Sequence, residues 1–100
     1  MKNWTFLTNH SHVLLCIAQN PQIRLTEIAE RVGIRERAAS TIVNDLVESG
    51  YVTKTRRGRR NEYEVHPHLP LRHPVERDAS ISKLLEIVEA AGKAGASSQL

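Results

Sequence analysis

Aromatic side chains are scarce in this chain, with one Trp, two Tyr and one Phe among 100 residues. That scarcity argues against a stacking platform for single-stranded RNA. There is one cysteine, Cys16, so no internal disulfide framework can form, and a lone thiol fits a reducing cytosol. No apolar run approaches the roughly 20 residues needed to cross a bilayer. The first residues, MKNWTFLTNHSH, lack the apolar core and small-residue cleavage site of a signal peptide. The expectation is a cytoplasmic protein with no membrane contact. Catalytic signatures are missing too: there is no paired nucleophile and base, no phosphate-cradling glycine loop and no zinc-protease helix. Neither an enzyme nor a bound cofactor is expected.

What is present is a small core and a focused charge. One hundred residues, 40% hydrophobic, provide for one modest core whose stability would gain from a second subunit. The net charge of +3 is unevenly spread: residues 51–71 hold five cations against two acids. Within them KTRRGRR, residues 54–60, places five Lys or Arg around Gly58. A local basic excess of this kind selects a polyanion or an acidic surface.

Helical periodicity comes first. Val13, Leu14, Ile17 and Ala18 predict a helix over residues 9–19, capped by Asn9 or Ser11 and stopped by Asn20-Pro21. IRL, residues 23–25, alternates as a brief strand does, and Thr26 is a good N-cap with Glu27 in the first turn. Ile28, Ala29 and Val32 form the inward stripe of a second short helix that Gly33 ends. A third helix, residues 36–49, follows after two residues, with Ala39, Ile42, Val43 and Leu46 inward and Gly50 as terminator. Two helices joined by a tight Gly-containing turn are a helix-turn-helix pattern.

After Gly50 the period becomes two. YVTKTR puts Tyr51, Thr53 and Thr55 on one face and Val52, Lys54 and Arg56 on the other. NEYEV returns with Tyr63 and Val65 opposite Glu62 and Glu64, which reads as a β-hairpin around Gly58. We expect the glutamates to pair with Lys54 or Arg56, leaving Arg57, Arg59 and Arg60 uncompensated at the tip. The proline-rich stretch 66–77 reads as an extended connector. Ile81, Leu84, Leu85 and Val88 mark a helix over residues 78–91, and residues 92–100 a frayed tail. The fold class is thus mainly α with a small β-hairpin, an α+β arrangement.

LTEIAERVGI, then IVNDLVESGYV, then a basic turn with Gly at its tip together resemble a winged helix-turn-helix, as in small MarR-type and ArsR-type transcriptional regulators. The resemblance covers residues 13–65, so residues 1–65 are expected to form the DNA-binding domain with an N-terminal arm. It implies a homodimer that binds double-stranded DNA in a sequence-specific manner. The third helix would enter the major groove, exposing Arg35, Glu36, Arg37, Ser40, Thr41 and Asn44 to base edges and phosphates. The basic wing, residues 54–62, would lie on the backbone or in the minor groove through Lys54, Arg57, Arg59 and Arg60. Helices of this kind usually begin with Ser or Thr; here Arg35 takes that position. The helix loses a capping oxygen worth about 1 kcal/mol, and a bound phosphate would compensate. Trp4 and Phe6 with Ile81, Leu84, Leu85 and Val88 are the expected dimerisation residues, since flanking helices commonly form the dimer interface in the resembled families.

Two other readings compete. Some members of those families sense metals, and His12 and Cys16 stand one helical turn apart, with His10 nearby. Two clear ligands are too few for a closed tetrahedral site, so Cys16 reads as a small core residue and no metal is assigned. His66, His68 and His73 read as loop residues. The alternative function is a winged-helix interaction module whose basic wing touches an acidic protein. Charge alone does not separate it from a DNA binder.

Overall fold

The computed structural model describes residues 3–88. Three helices, α1 (Asn9–Gln19), α2 (Leu25–Val32) and α3 (Glu36–Glu48), precede an antiparallel hairpin of β1 (Val52–Arg57) and β2 (Arg60–Val65). Helical residues 81–88 constitute α4. This is a winged helix, α+β. By its backbone contacts the chain divides into two compact units, with the boundary between Val65 and His66.

In the first unit α1 is the central element. It packs against α2, α3 and β2, and α3 also meets β1. Five consecutive α1 residues, Val13 to Ile17, are buried. Val13, Ile17, Ile28 and Val52 are the largest fully enclosed side chains, each of which contributes about 1.5–3 kcal/mol of apolar transfer. Ala39 is also fully buried, and its small side chain lets α3 approach its neighbours. Among the described residues no charged or polar side chain is buried. The core therefore carries no desolvated charge.

Three expectations about the stretch before α3 need correction. The cap of α1 is Thr8, whose Oγ1 accepts from the Ser11 N–H at 3.3 Å, so neither Asn9 nor Ser11 serves. Residues 23–25 are not a strand. The Asn20 side chain accepts from Gln22 N–H at 3.2 Å and its carbonyl from Ile23 N–H at 3.0 Å, an Asx turn that folds the segment before it can pair. One backbone bond, Tyr63 N–H to Pro21 O at 2.8 Å, ties it to β2. Finally, α2 starts at Leu25 with Arg24 at the N-cap and no side-chain cap. Thr26 is already inside the helix. Burial of Ile23 and Ile28 sets the entry, and packing overrides the weaker preference of a threonine.

The C-terminus of α2 follows expectation. Gly33 has φ of 83°, a left-handed conformation that costs other residues about 1–2 kcal/mol. It lets both Gly33 and Ile34 N–H reach the Ala29 carbonyl, at 2.9 and 3.0 Å. The chain then turns into α3 within two residues.

The second unit joins residues 66–80 to α4. This stretch turns at residues 67–68 and 74–78, where an extended connector was expected. Helix α4 starts at Ile81, not at residue 78, because the bonds of Glu76 N–H to His73 O and Ala79 N–H to Glu76 O form turns. Prolines donate nothing, yet their segment supplies carbonyls: Ile81 N–H bonds Leu69 O at 2.9 Å and Ser82 N–H bonds Pro67 O at 2.8 Å. Those two acceptors satisfy the free first-turn donors of α4. An antiparallel bridge between Pro70 and Ser80 closes the loop. Ile81 and Leu84 are buried, Leu85 and Val88 half-buried, and Ile87 exposed. The expected ends at residues 89–91 and the tail 92–100 lie outside the described residues.

Burial predicts a graded response to truncation. Ile28→Ala should lower unfolding free energy by about 2–5 kcal/mol, measured by urea titration of the helical circular dichroism. Val75→Ala, at 86% exposure, should change it by no more than about 0.5 kcal/mol. Equal losses at the two positions would contradict this core.

Candidate nucleic-acid interface

The outer face of α3 is polar for a geometric reason. Ala39, Ile42, Val43 and Leu46 are its buried residues. At 3.6 residues per turn, Glu36, Arg37, Ser40, Thr41 and Asn44 fall within roughly 140° of arc, away from that stripe. Glu36, Arg37, Thr41 and Asn44 are exposed and Ser40 is half-buried. Arg35 sits at the N-cap with φ −78° and ψ 155°, is exposed, and makes no side-chain capping bond. Thr41 Oγ1 donates to the Arg37 carbonyl at 3.1 Å, so its hydroxyl keeps only acceptor capacity for an outside group. Asp45, at the half-buried flank, contacts His10 Nε2 at 2.9 Å, which joins the first turn of α1 to the middle of α3.

The wing is set by its register. Arg57 pairs with Arg60 across a two-residue turn. Gly58 has φ of 63° and Arg59 is not left-handed, the pattern of a type II′ turn, which follows strand twist. Side chains alternate, so Val52, Lys54, Arg56, Asn61, Tyr63 and Val65 share one face. Thr53, Thr55, Arg57, Arg60, Glu62 and Glu64 share the other. The expected pairing of the glutamates with Lys54 or Arg56 is therefore wrong: Lys54 lies opposite Tyr63 and Arg56 opposite Asn61. Instead Arg57 Nε donates to Glu62 Oε1 at 2.8 Å, the diagonal neighbour on the same face. Gln22 Nε2 donates to the other oxygen at 3.3 Å, and Arg56 Nε folds back to the Gly58 carbonyl at 2.9 Å.

Charge at the tip is thus narrower than the sequence implied. Arg57 is compensated. Among the described residues Lys54, Arg59 and Arg60 on the wing and Arg35 and Arg37 on α3 make no ion pair. Such exposed, unpaired cations contribute little to folding and are free for an anionic partner.

Among the described residues no three His, Cys, Asp or Glu side chains are grouped to hold an ion. His10 faces Asp45, and His12 Nδ1 lies 3.4 Å from Asn9 Oδ1. Cys16 is buried. Burial pushes its thiol above the ordinary range, and Arg31, which sequence order gave no reason to place nearby, opposes that rise without reversing it. Trp4 and Phe6 meet edge to face with centroids 5.0 Å apart, at 64% and 92% exposure. Residues the sequence reading passed over are Gln22, Arg24 and Asn61, which with Arg59 and Arg60 line one open groove of about 410 Å³. No periodic signal marks them, because chain crossing brings them together.

A helix-turn-helix followed by a basic hairpin defines the class as winged helix-turn-helix. The MarR family model matches residues 8–59, and the chain belongs to the MarR family. Solved structures agree on the fold. The PcaV transcriptional regulator of Streptomyces coelicolor, in complex with its natural ligand, is 24% identical with a TM-score of 0.52, over 60% of this chain and 45% of that one. ZitR of Lactococcus lactis in complex with DNA is 18% identical with a TM-score of 0.53, over 65% and 46%. A MarR family transcriptional regulator of Silicibacter pomeroyi is 19% identical with a TM-score of 0.56, over 91% and 57%. The chain spans about half the length of these relatives. No curated protein gives a significant match.

The buried thiol gives a pH-signed test. Because burial favours neutral Cys16, its contribution is constant below the ordinary thiol pKa and is lost as pH rises through the raised value. Stability should therefore not respond to Cys16→Ser differently at pH 6 and pH 8. Native Cys16 should react with a disulfide reagent at pH 8 at least tenfold more slowly than the urea-unfolded chain. Equal rates would show the thiol to be open.

Proposed function

We propose that the chain is a transcriptional regulator that binds double-stranded DNA sequence-specifically as a homodimer in the cytoplasm. The observation that carries this reading is the exposed polar arc of α3 combined with the unpaired Arg59 and Arg60 of the wing, on a MarR-family fold. Arg37 and Asn44 offer the donors that match guanine and adenine edges. Ser40 and Thr41 contact either a base or a phosphate, and Glu36 accepts from cytosine or orients an arginine. Arg35, with its uncapped helix end, takes a backbone phosphate. Lys54, Arg59 and Arg60 supply sequence-independent affinity, while Arg57, its charge answered by Glu62, has only its remaining guanidinium N–H groups to offer a phosphate. The DNA-bound state of ZitR supports this use of the fold.

Dimerisation draws on apolar side chains left exposed. Ile81 and Leu84 are buried within the chain, so of the expected residues Trp4 and Phe6 remain open, with Leu85 and Val88 partly so. Ile87 joins them. Two copies would set paired α3 helices on half-sites about 34–36 Å apart.

Titration of a labelled duplex pool by polarisation, over a salt series, tests the DNA reading. Arg59→Ala with Arg60→Ala should lower the salt slope by up to about 0.9 per lost phosphate contact and weaken all sequences alike. Arg37→Ala or Asn44→Ala should instead relax base preference by about 1–3 kcal/mol per contact. If all these variants bind duplex as the wild type does, the interaction-module reading replaces this one. Sedimentation velocity should give twice the 11.3 kDa of the chain, and Phe6→Glu should restore the monomer. A monomer at all concentrations for the wild type would remove the dimer.

A further inference from the structure

We propose that the groove between residues 22–24 and the wing tip is a binding site for a phosphate group. It deepens the DNA reading only in part, because the same chemistry can come from a backbone phosphate or from a free phosphate-bearing molecule. The case begins with the phase of the hairpin. Arg57 and Arg60 flank a two-residue turn, so they form a hydrogen-bonded pair, and the N–H groups of residues 61, 63 and 65 point away from β1. Tyr63 N–H meets the Pro21 carbonyl at 2.8 Å. Asn61, two residues nearer the tip, presents the same outward N–H, and among the described residues no backbone acceptor meets it.

Asn61 itself borders a groove of about 410 Å³ that Gln22, Arg24, Arg59 and Arg60 also line. Three guanidinium residues therefore border one concavity, and no carboxylate lines it. The closest acid along β2, Glu62, is already engaged by Arg57 and Gln22. Arg24, Arg59 and Arg60 make no ion pair among the described residues. Three like charges around one open groove repel one another, and a dianion relieves that repulsion while accepting from guanidinium and backbone N–H groups. Arginine suits phosphate because its planar donors meet two oxygens at once. On the wall opposite the wing, buried Ile23 and the Asn20 turn anchor the backbone next to Arg24.

The test compares wild type with Arg24→Ala and with Arg24→Gln, which keeps a polar side chain but removes the charge. Arg24 is exposed, and circular dichroism confirms that each variant folds. In one arm, sodium phosphate and pyrophosphate are titrated at constant ionic strength while the Asn61 amide resonance is followed. In the other, duplex affinity is measured over a salt series. A saturable Asn61 shift in the wild type, weakened tenfold or more in both variants with an unchanged DNA salt slope, assigns the groove to a free phosphate compound. A DNA salt slope lower by about 0.9 in both variants assigns it to a backbone phosphate. No Asn61 shift and no change of slope overturns the site. If the wild type fails to bind duplex at all, the phosphate arm alone decides, so the two proposals fail separately.

Discussion

Packing of α1 against α2, α3 and β2 is the constraint on which the first unit depends. Val13 and Ile17 lie fully enclosed in that contact. It holds together a helix with a polar outer arc and a hairpin with a cationic tip, which are also joined by a short turn and touch through β1. In a unit this small, removal of one large enclosed side chain consumes a sizeable part of a total stability of about 5–15 kcal/mol. The outward side chains of α3 and the wing contribute little to folding, which leaves their chemistry free for a partner.

Compensation of charge is selective. The strand period of two puts Glu62 and Glu64 on the face of Arg57 and Arg60, away from Lys54 and Arg56. One acid thus fixes Arg57 while Gln22 fixes that acid, and Arg59 and Arg60 stay open. The wing is braced at its flank and unpaired at its end. A turn with Gly58 left-handed follows the natural twist of the strands and presents those cations without strain.

Much of this was legible in the sequence, and where it failed the reason is local. Helix α1 has the bounds that Val13, Leu14, Ile17 and Ala18 with Asn20-Pro21 imply. Helix α3 ends within a residue of its expected end, and Gly33 stands where a left-handed residue is needed. Residues 23–25 misled, because a short alternating run also fits a turn closed by an asparagine, and only the Asn20 bonds decide between them. The start of α2 misled because Thr26 is a good cap in isolation, whereas burial of Ile23 and Ile28 draws the helix start forward to Leu25. The stripe Ile81, Leu84, Leu85 and Val88 was visible as apolar, yet periodicity cannot say which of its members the chain itself covers.

Sequence alone determined the order of the helices and the hairpin, the polar outer residues of α3 and the concentration of cations at residues 54–60. Those follow from periodicity, caps and composition, which act over a few neighbouring residues. Tertiary structure decided which cations keep their charge unanswered, which apolar residues stay exposed, and that Gln22, Arg24 and Asn61 share a groove with the wing tip. Each of these depends on partners far apart in the chain, such as Gln22 and Glu62, 40 positions apart. Such meetings are set by packing and strand register, and no local pattern encodes them.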